Sequence, residues 1–310
     1  MLSTKEMKSY LKMVADKNMV NIPSHVWEDE KFPILAIAMN PESYNYVSEE
    51  KRKDRKFFID CFEVGITTLM SKEYIDIFGN CGIEYYKMFE YVDPRFKKDK
   101  ELILEILGYD EGIYNVIDET LQKDIDVLEE YVSSMQYFTN DSKLPAYDKI
   151  HPDVLNDIEK MTKLAEIDPM VFISASPLLR GQFDFVSKAY ERGKKIYGFE
   201  LDEVASKIDE ALLKDKKSAK KLLGLDAVLY YDIIPFYDGK EKEELILYAM
   251  KNAVRQKYTN LVADLKKDWM QVRTKNKVLD SKIIFIDAKE KAKKNIDKIN
   301  VDKRNKPSKK

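Results

Sequence analysis

One spacing of aspartate, apolar and aromatic residues occurs four times in this chain and constrains its fold more than any other feature. Each copy starts at an aspartate, here called a first-type anchor. The residues at +3, +4, +7 and +8 are apolar, with Lys160 and Ser218 as exceptions. The anchors are Asp29, Asp99, Asp157 and Asp215, position +11 holds Asn40, Asp110, Asp168 and Asp226, and position +15 holds Tyr44, Tyr114, Phe172 and Tyr230. A spacing that recurs every ~60 residues is typical of repeat proteins.

A second set with the same apolar spacing interleaves with the first. Its second-type anchors are Asp54, Asp124, Gln182 and Lys242, which occupy +25, +25, +25 and +27 relative to the first-type anchors. Positions +3, +4, +7 and +8 lie on one face of a helix with 3.6 residues per turn. An aspartate just before such a helix accepts hydrogen bonds from its free N–H groups. The pattern therefore predicts amphipathic helices whose apolar stripes are buried.

A shorter helix is predicted ahead of each first-type anchor. The apolar residues three positions before the anchors are Val26, Phe96, Val154 and Leu212, and these helices begin near Pro23, Pro94, Pro152 and Asp209. The first interval between anchors is 12 residues longer than the others. Its extra residues are predicted to form an elaborated turn or an added helix within residues 65–88. Gly108 and Gly193 are predicted to end the long helices that precede them.

Together these helices predict an all-α fold, a tandem helical-repeat array of the α-solenoid kind with four double repeats of about 58 residues. Helix pairs of this length cannot bury their own apolar faces, so each pair must stack on its neighbours. Ser3 and Glu6 have the spacing of a capping box at the start of an amphipathic helix. Residues 283–286 fit a short strand or part of a helix. The predicted segments are an N-terminal capping helix (1–20), the array (21–255), a C-terminal capping segment (256–288) and a basic, flexible tail (289–310).

One string recurs in this chain: Asp-x-x-apolar-apolar, then Asn/Asp-Pro-x-x-aromatic, then a turn and another Lys-Asp. This string resembles a known family of short tandem helical repeats. That bacterial and viral family is catalogued only as a domain of unknown function. The clearest stretches are 22–62, 91–132 and 151–190, and the resemblance covers roughly residues 22–250. Gln182 and Lys242, which replace Asp, and the longer first interval depart from the pattern. The resemblance implies an all-helical repeat fold and no catalytic residue that can be carried over.

Charge is distributed unevenly along the chain. Residues 289–310 hold ten Lys or Arg against three Asp or Glu, a net of +7, and the net of −2 for the whole chain leaves −9 for the rest. A basic segment of this kind is typical of contact with nucleic acid or an acidic protein face. The candidate contact residues are Lys291, Lys293, Lys294, Lys303, Arg304 and Lys306.

Cellular location is predicted from the apolar segments and the cysteines. No stretch approaches the roughly 20 apolar residues of a membrane span, and the first residues lack the apolar core of a signal peptide. Two cysteines do not make a disulfide framework, and Cys61 falls on an apolar stripe as a buried free thiol. We therefore expect no membrane association and a cytoplasmic protein, in a host cytoplasm or a virion if a phage encodes it.

Few residues offer catalytic or metal-binding chemistry, and no cofactor is expected. His25 and His151 lie beside prolines at helix starts, and an Asp148-x-x-His151 spacing alone is a weak metal motif. Phosphate-binding glycine loops are absent from the sequence. The serine–lysine spacings Ser48/Lys51 and Ser218/Lys221 fall where helix caps and solvated faces are expected. Cys81, between Gly79 and Gly82, is the remaining candidate nucleophile.

Three functions are compatible with these features. The leading hypothesis is a non-enzymatic protein-interaction or structural scaffold, such as a phage or mobile-element accessory protein that binds or occludes a partner protein. The first alternative is a virion or nucleic-acid-associated component that uses the basic tail. The second alternative is an enzyme with a site near Cys81.

Overall fold

The computed structural model describes residues 1–78, 85–138, 147–196 and 202–272. Within these ranges every regular element is a helix and none is a strand, so the all-α prediction is confirmed. The chain divides into two compact units, Met1–Ser174 (unit 1) and Ala175–Lys310 (unit 2). Residues 79–84, residues 283–286 and the basic tail lie outside the described residues.

Most helices are short. Unit 1 contains α1 Thr4–Ala15, α2 Phe32–Met39, α3 Glu49–Arg52, α4 Arg55–Asp60, α5 Ile66–Leu69, α6 Ile75–Phe78, α7 Lys100–Ile106, α8 Ile113–Val116, α9 Glu119–Gln122, α10 Ile125–Phe138, α11 Pro152–Leu155, α12 Ile158–Ile167 and α13 Val171–Ser174. Unit 2 contains α14 Pro177–Arg180, α15 Phe183–Ile196, α16 Asp202–Ser206, α17 Glu210–Lys214, α18 Lys216–Leu225, α19 Tyr230–Ile233, α20 Gly239–Gln256 and α21 Thr259–Val272. Turns of 3₁₀-helix occupy Met19–Asn21, Ser24–Val26, Pro41–Tyr46, Tyr85–Glu90, Pro94–Lys98, Leu107–Tyr109, Ala227–Leu229 and Ile234–Phe236, and Cys61–Gly65 is a π-helical turn.

Four anchor aspartates are the N-caps of the helices that follow them, as predicted, whereas the N-cap of α2 is Lys31, two residues after Asp29. The N-cap residues of α4, α7, α12 and α18 are Asp54, Asp99, Asp157 and Asp215. Each side chain accepts hydrogen bonds from N–H groups of the first turn, for example 3.0 Å from Leu102 N to Asp99 Oδ1. These bonds satisfy backbone donors that have no partner within the helix. The starts of these four helices are therefore encoded locally, by one residue each.

The predicted apolar stripes form the core. Every apolar residue at +3, +4, +7 or +8 of the eight anchors is buried, from Phe32 in α2 to Met250 in α20. The two polar exceptions, Lys160 and Ser218, are partly exposed. Burial along these helices therefore follows the helical period that the sequence predicts.

A short helix precedes each first-type anchor, as predicted, and three of the second-type anchors as well. These short helices are Ser24–Val26, α3, Pro94–Lys98, α9, α11, α14 and α17. Their N-cap residues are Pro23, Ser48, Asp93, Asp118, His151, Ser176 and Asp209, and each lies six residues before the next anchor. A short helix, its N-cap and the long helix that follows are called a module below. The described residues contain seven such modules.

The +11 and +15 positions have consistent roles. The +11 side chain accepts a hydrogen bond from the N–H two residues later in all four copies: Asn40 from Glu42, Asp110 from Gly112, Asp168 from Met170 and Asp226 from Val228. This turns the chain out of the long helix. The +15 aromatics are all buried, with at most 2% of each side chain exposed.

Three features differ from the sequence expectation or refine it. Gly193 does not end α15 but lies inside it, on the buried face one turn after Ala189. Lys242 lies inside α20, which begins three residues earlier at Gly239. In the long first interval, α5 and α6 supply the predicted added helix.

The predicted helices near both chain ends are present. The capping box of α1 is complete, because Ser3 Oγ accepts from Glu6 N and Glu6 accepts from Ser3 N at 2.9 Å. The amphipathic helix predicted in the C-terminal segment is α21, which buries Leu261, Leu265 and Trp269 among others.

Candidate functional site

The residues singled out from the sequence for binding or catalysis fall mainly in parts of the chain that are not described. The six candidate contact residues of the tail, Lys291, Lys293, Lys294, Lys303, Arg304 and Lys306, lie outside the described residues, and so does Cys81. The nucleophile hypothesis at Cys81 and the tail hypothesis therefore remain predictions.

Cys61 is the buried free thiol that the sequence predicts. It is 0% exposed, and its thiol donates to the carbonyl oxygen of Phe57 at 3.2 Å. Burial raises the pKa of this thiol far above its usual value, although a contact with the Tyr44 hydroxyl partly opposes that effect. A thiol kept protonated and out of solvent is not a nucleophile. Cys61 is part of the core.

One group of titratable side chains in the described residues joins α9 to α11. Lys123 Nζ lies 2.7 Å from Glu119 Oε1 and 2.7 Å from Asp153 Oδ2. His151 Nε2 lies 3.2 Å from the same Glu119 oxygen. Ligand atoms of Glu119, His151 and Asp153 all lie within 4.8 Å of one another, the geometry of a small cation site.

The local bonds of this group favour a structural role. His151 is the N-cap of α11, and its Nδ1 accepts from Asp153 N at 3.1 Å. A metal ion bound at Nδ1 would compete with that capping bond. The Lys123 ammonium already lies between the two carboxylates, where a cation would bind. Asp148, the partner suggested by the Asp-x-x-His spacing, is not in the group; its ion pair is with Lys149 at 3.9 Å.

Replacing His151 tests the capping role directly. His151→Ala should lower the free energy of unfolding by about 1 kcal/mol, because the first turn of α11 loses its side-chain acceptor. His151→Ser should retain most of that stability, since Ser48 and Ser176 cap the equivalent helices. Urea unfolding with and without added zinc is the measurement. Zinc that raised the midpoint of the wild type but not of His151→Ser would contradict a purely structural role.

Ion pairs also connect successive long helices, in an arrangement we call the ion-pair ladder. In unit 1, Arg55 of α4 bonds Asp99 at the start of α7, at 3.3 Å, and Lys100 bonds Asp124 at the start of α10, at 2.8 Å. In unit 2, Lys216 at the start of α18 bonds Glu244 of α20 at 3.0 Å. Each cation immediately follows an anchor aspartate and reaches the next long helix. Partly exposed pairs of this kind add little stability.

Acid should weaken the fold because the capping carboxylates favour their charged form. Hydrogen bonds from the Thr120 hydroxyl and N–H hold the pKa of Asp118 below its usual value, and the Ser218 side chain and N–H do the same for Asp215. A lowered folded pKa contributes stability above the unfolded pKa of about 3.9, which is lost as pH falls through the folded value. The free energy of unfolding should therefore fall between about pH 5 and pH 2. We expect a smaller decrease in the free energy of unfolding for the Asp118→Ser variant, because a serine side chain can cap the helix but does not titrate in this pH range.

In the two serine–lysine spacings, the lysine side chains contact other groups. Ser48 Oγ caps α3 by accepting from Lys51 N, while Lys51 Nζ donates to the carbonyl oxygen of Trp27 at 3.1 Å. Lys221 Nζ lies over the ring of Phe183, 4.7 Å from its centroid. Both lysines serve packing and capping at module surfaces.

The basic clusters before the second and third long helices are also engaged structurally. Lys53 pairs with Glu49, Arg95 with Asp93 at 2.9 Å, and Lys98 with Asp118 at 3.6 Å. These ion pairs are exposed and lie just before α4 and α7. His25 is exposed in the Ser24–Val26 turn, which agrees with its prediction as a helix-start histidine.

Comparisons with protein-family models, with curated proteins and with solved structures found no match to this chain. Among the described residues, no helix combines the length and apolar character required to span a membrane.

Proposed function

We propose that this protein is a non-enzymatic scaffold that binds a partner protein along a tandem helical-repeat array. The array spans residues 21–255 in four double repeats, with residues 1–20 and 256–288 as capping segments. A phage or mobile-element accessory protein that occludes or bridges its partner fits this description. Repeat arrays expose long surfaces whose side chains can vary without disturbing the core.

The observation that supports this proposal is that the residues at the recurrent positions have structural roles. Anchors cap helices, the apolar stripes are buried, the side chains at +11 turn the chain, and the aromatics at +15 are buried. Two +15 tyrosines also reach the next module: Tyr44 packs against Phe57 at 6.2 Å between ring centroids, and the Tyr114 hydroxyl donates to Gln122 O at 2.7 Å. Because the repeated residues are structural, binding falls to the variable exposed side chains.

Affinity capture with the full-length protein as bait tests this function. A protein should co-purify from the native host, and the complex should re-form from the two purified components at a fixed ratio. A matched control bait carries Tyr231→Ala. Tyr231 is 52% exposed, so this bait controls for the loss of one apolar surface residue. Failure to reconstitute any complex, together with an activity that disappears in Cys81→Ser, would overturn the scaffold in favour of an enzyme.

A second candidate function is nucleic-acid association through residues 289–310, whose net charge of +7 supports it. If about six of these cations contact DNA phosphates, the affinity for DNA should fall as salt is added, and log affinity against log salt concentration should have a slope of about −5. Deleting residues 289–310 should abolish this binding and leave the thermal midpoint nearly unchanged. Absence of a gel shift at low salt would remove this candidate.

A further inference from the structure

The sulfur of Met19 lies next to hydrogen-bond donors, although buried methionines usually fill apolar gaps. Met19 is 4% exposed and belongs to the 3₁₀ turn Met19–Asn21 that follows α1. Ser43 Oγ lies 3.2 Å from Met19 Sδ, and Asn40 Nδ2 lies 3.9 Å from it. In the described part of the chain, no other methionine sulfur has a donor at hydrogen-bond distance. The surroundings of this sulfur are therefore polar on one side.

A pair with the same spacing in the third copy shows what the polar side accepts. Asn40 occupies +11 of the first copy, and Met19 precedes it by 21 residues. Asp168 occupies +11 of the third copy, and Tyr147, also 21 residues earlier, donates its hydroxyl to Asp168 Oδ2 at 2.6 Å. A carboxylate has only acceptors, whereas the amide of Asn40 also has donors. The first copy therefore has donors that face an acceptor position.

A thioether uses these donors poorly. Its sulfur is a weak acceptor, and the 3.9 Å from Asn40 Nδ2 is a long bond. Ser43 has one hydroxyl proton and also lies 3.1 Å from Ala36 O, so that proton is shared between two acceptors. An oxygen atom bound to the sulfur would be a much stronger acceptor. It would take hydrogen bonds from the Ser43 hydroxyl and the Asn40 amide.

We propose that Met19 is a methionine oxidation site whose sulfoxide the fold accommodates. The oxidant is a peroxide. A lone pair of the sulfur attacks one oxygen of hydrogen peroxide, an S–O bond forms and the O–O bond breaks. The departing hydroxide takes the proton of the transferred oxygen and leaves as water, so the sulfur is oxidised and the peroxide is reduced. In an apolar core the new oxygen has no partner and disrupts packing, but at Met19 it meets two donors.

Local opening of the turn gives the peroxide access to the sulfur. The residues on either side of Met19, Asn18 and Val20, are exposed, Val20 at 76%. A short turn with exposed flanks opens at a lower free energy than a long packed helix. Met161, by contrast, is 0% exposed in the apolar stripe of α12. Met19 should therefore be oxidised before Met161.

Hydrogen peroxide treatment of the full-length protein, followed by peptide mass spectrometry, measures oxidation at each methionine. Met70 and Met270, which are 63% and 59% exposed, should be oxidised first, then Met19, and Met161 last. The circular dichroism spectrum should still be that of the folded protein when Met19 is oxidised. Oxidation of Met19 only together with Met161, or only with loss of the folded spectrum, overturns the proposal.

The effect of the Met19 sulfoxide on stability is measured against Met19→Leu, which keeps every other methionine. Oxidation should lower the thermal midpoint of the wild type no more than that of Met19→Leu. In a Ser43→Ala background, oxidation should lower the midpoint more with Met19 present than with Met19→Leu, because one donor is lost. A larger decrease in the wild type than in Met19→Leu overturns the proposal, and so does an effect that Ser43→Ala leaves unchanged.

Glutamine substitutions provide a test that needs no oxidant. Glutamine and leucine are similar in size to methionine, but only glutamine brings a side-chain oxygen that accepts hydrogen bonds. Met19→Gln should have a thermal midpoint at least as high as that of Met19→Leu. Met161→Gln should melt well below Met161→Leu, because a polar group there is buried without a partner. Met19→Gln melting below Met19→Leu by as much as the Met161 pair differs would show that position 19 does not accept an oxygen, against the proposal.

Discussion

Replacing Phe172 with alanine should lower the free energy of unfolding by about 3–5 kcal/mol, the usual cost of removing a buried aromatic side chain. Phe172 is 0% exposed at the +15 position of the third copy. Truncation removes its apolar area from the core and leaves a cavity that the neighbouring helices only partly fill. Urea unfolding followed by circular dichroism measures the change through the shift in midpoint at constant slope.

The control for this prediction is a ring of similar size on the surface. Tyr231 directly follows Tyr230, the buried aromatic at +15 of the fourth copy, but is 52% exposed. Tyr231→Ala should change the free energy of unfolding by about 0.5 kcal/mol or less. If Phe172→Ala also cost less than about 0.5 kcal/mol, the ring would not be a core residue and the packing role of the +15 position would be wrong.

Replacing Gly65 with alanine should destabilise unit 1 by about 1–3 kcal/mol through overpacking. Gly65 ends the π-helical turn that packs against α2. An added Cβ would lie 2.5 Å from Ala38 Cβ and 3.2 Å from Ile34 O, both closer than van der Waals contact. Because Ala38 Cβ is fixed to the backbone of α2, relief requires the two helices to separate.

Two companion variants identify close packing as the cause. Gly65→Ala combined with Ala38→Gly should recover part of the loss, since the opposing Cβ is removed. Gly108→Ala should be neutral or slightly stabilising, because an added Cβ there has no atom within 4 Å. Equal destabilisation by Gly65→Ala and Gly108→Ala would contradict the packing explanation and point to backbone effects.

The long helices and the core could be predicted from the sequence because both depend on local, periodic signals. An aspartate followed by apolar residues at helical spacing fixes a helix start and a buried face together, as at Asp99 and Asp157. The buried state of Cys61 followed from its place in a stripe. His151 was also placed correctly at a helix start, although its use as a capping acceptor became apparent only from its bond to Asp153 N.

The remaining features depend on contacts that a single sequence does not specify. The π-helical turn at Cys61–Gly65 depends on how closely α2 approaches it, and Gly65 alone is compatible with a turn, a helix end or a close contact. Gly193 was wrongly predicted to end α15, because the same ambiguity applies to glycine on a buried face. The cluster of Glu119, His151 and Asp153 joins two helices that are distant in the sequence, and spacing rules for metal sites do not detect such a group.

The six-residue distance between the N-cap of the short helix and the anchor of a module affects how such a chain can change in length. Both start signals of a module lie within it, so a duplicated double repeat carries two complete modules with their own helix boundaries. In the proposed array, the new copy covers the apolar stripe of its neighbour and offers an equivalent stripe to the next. Extra residues are tolerated between modules, where they separate no cap from its helix. The 12 residues added to the first interval lie at such a junction, between α4 and the cap at Asp93. A chain built as the proposed array can therefore lengthen or shorten by whole modules without requiring a new core.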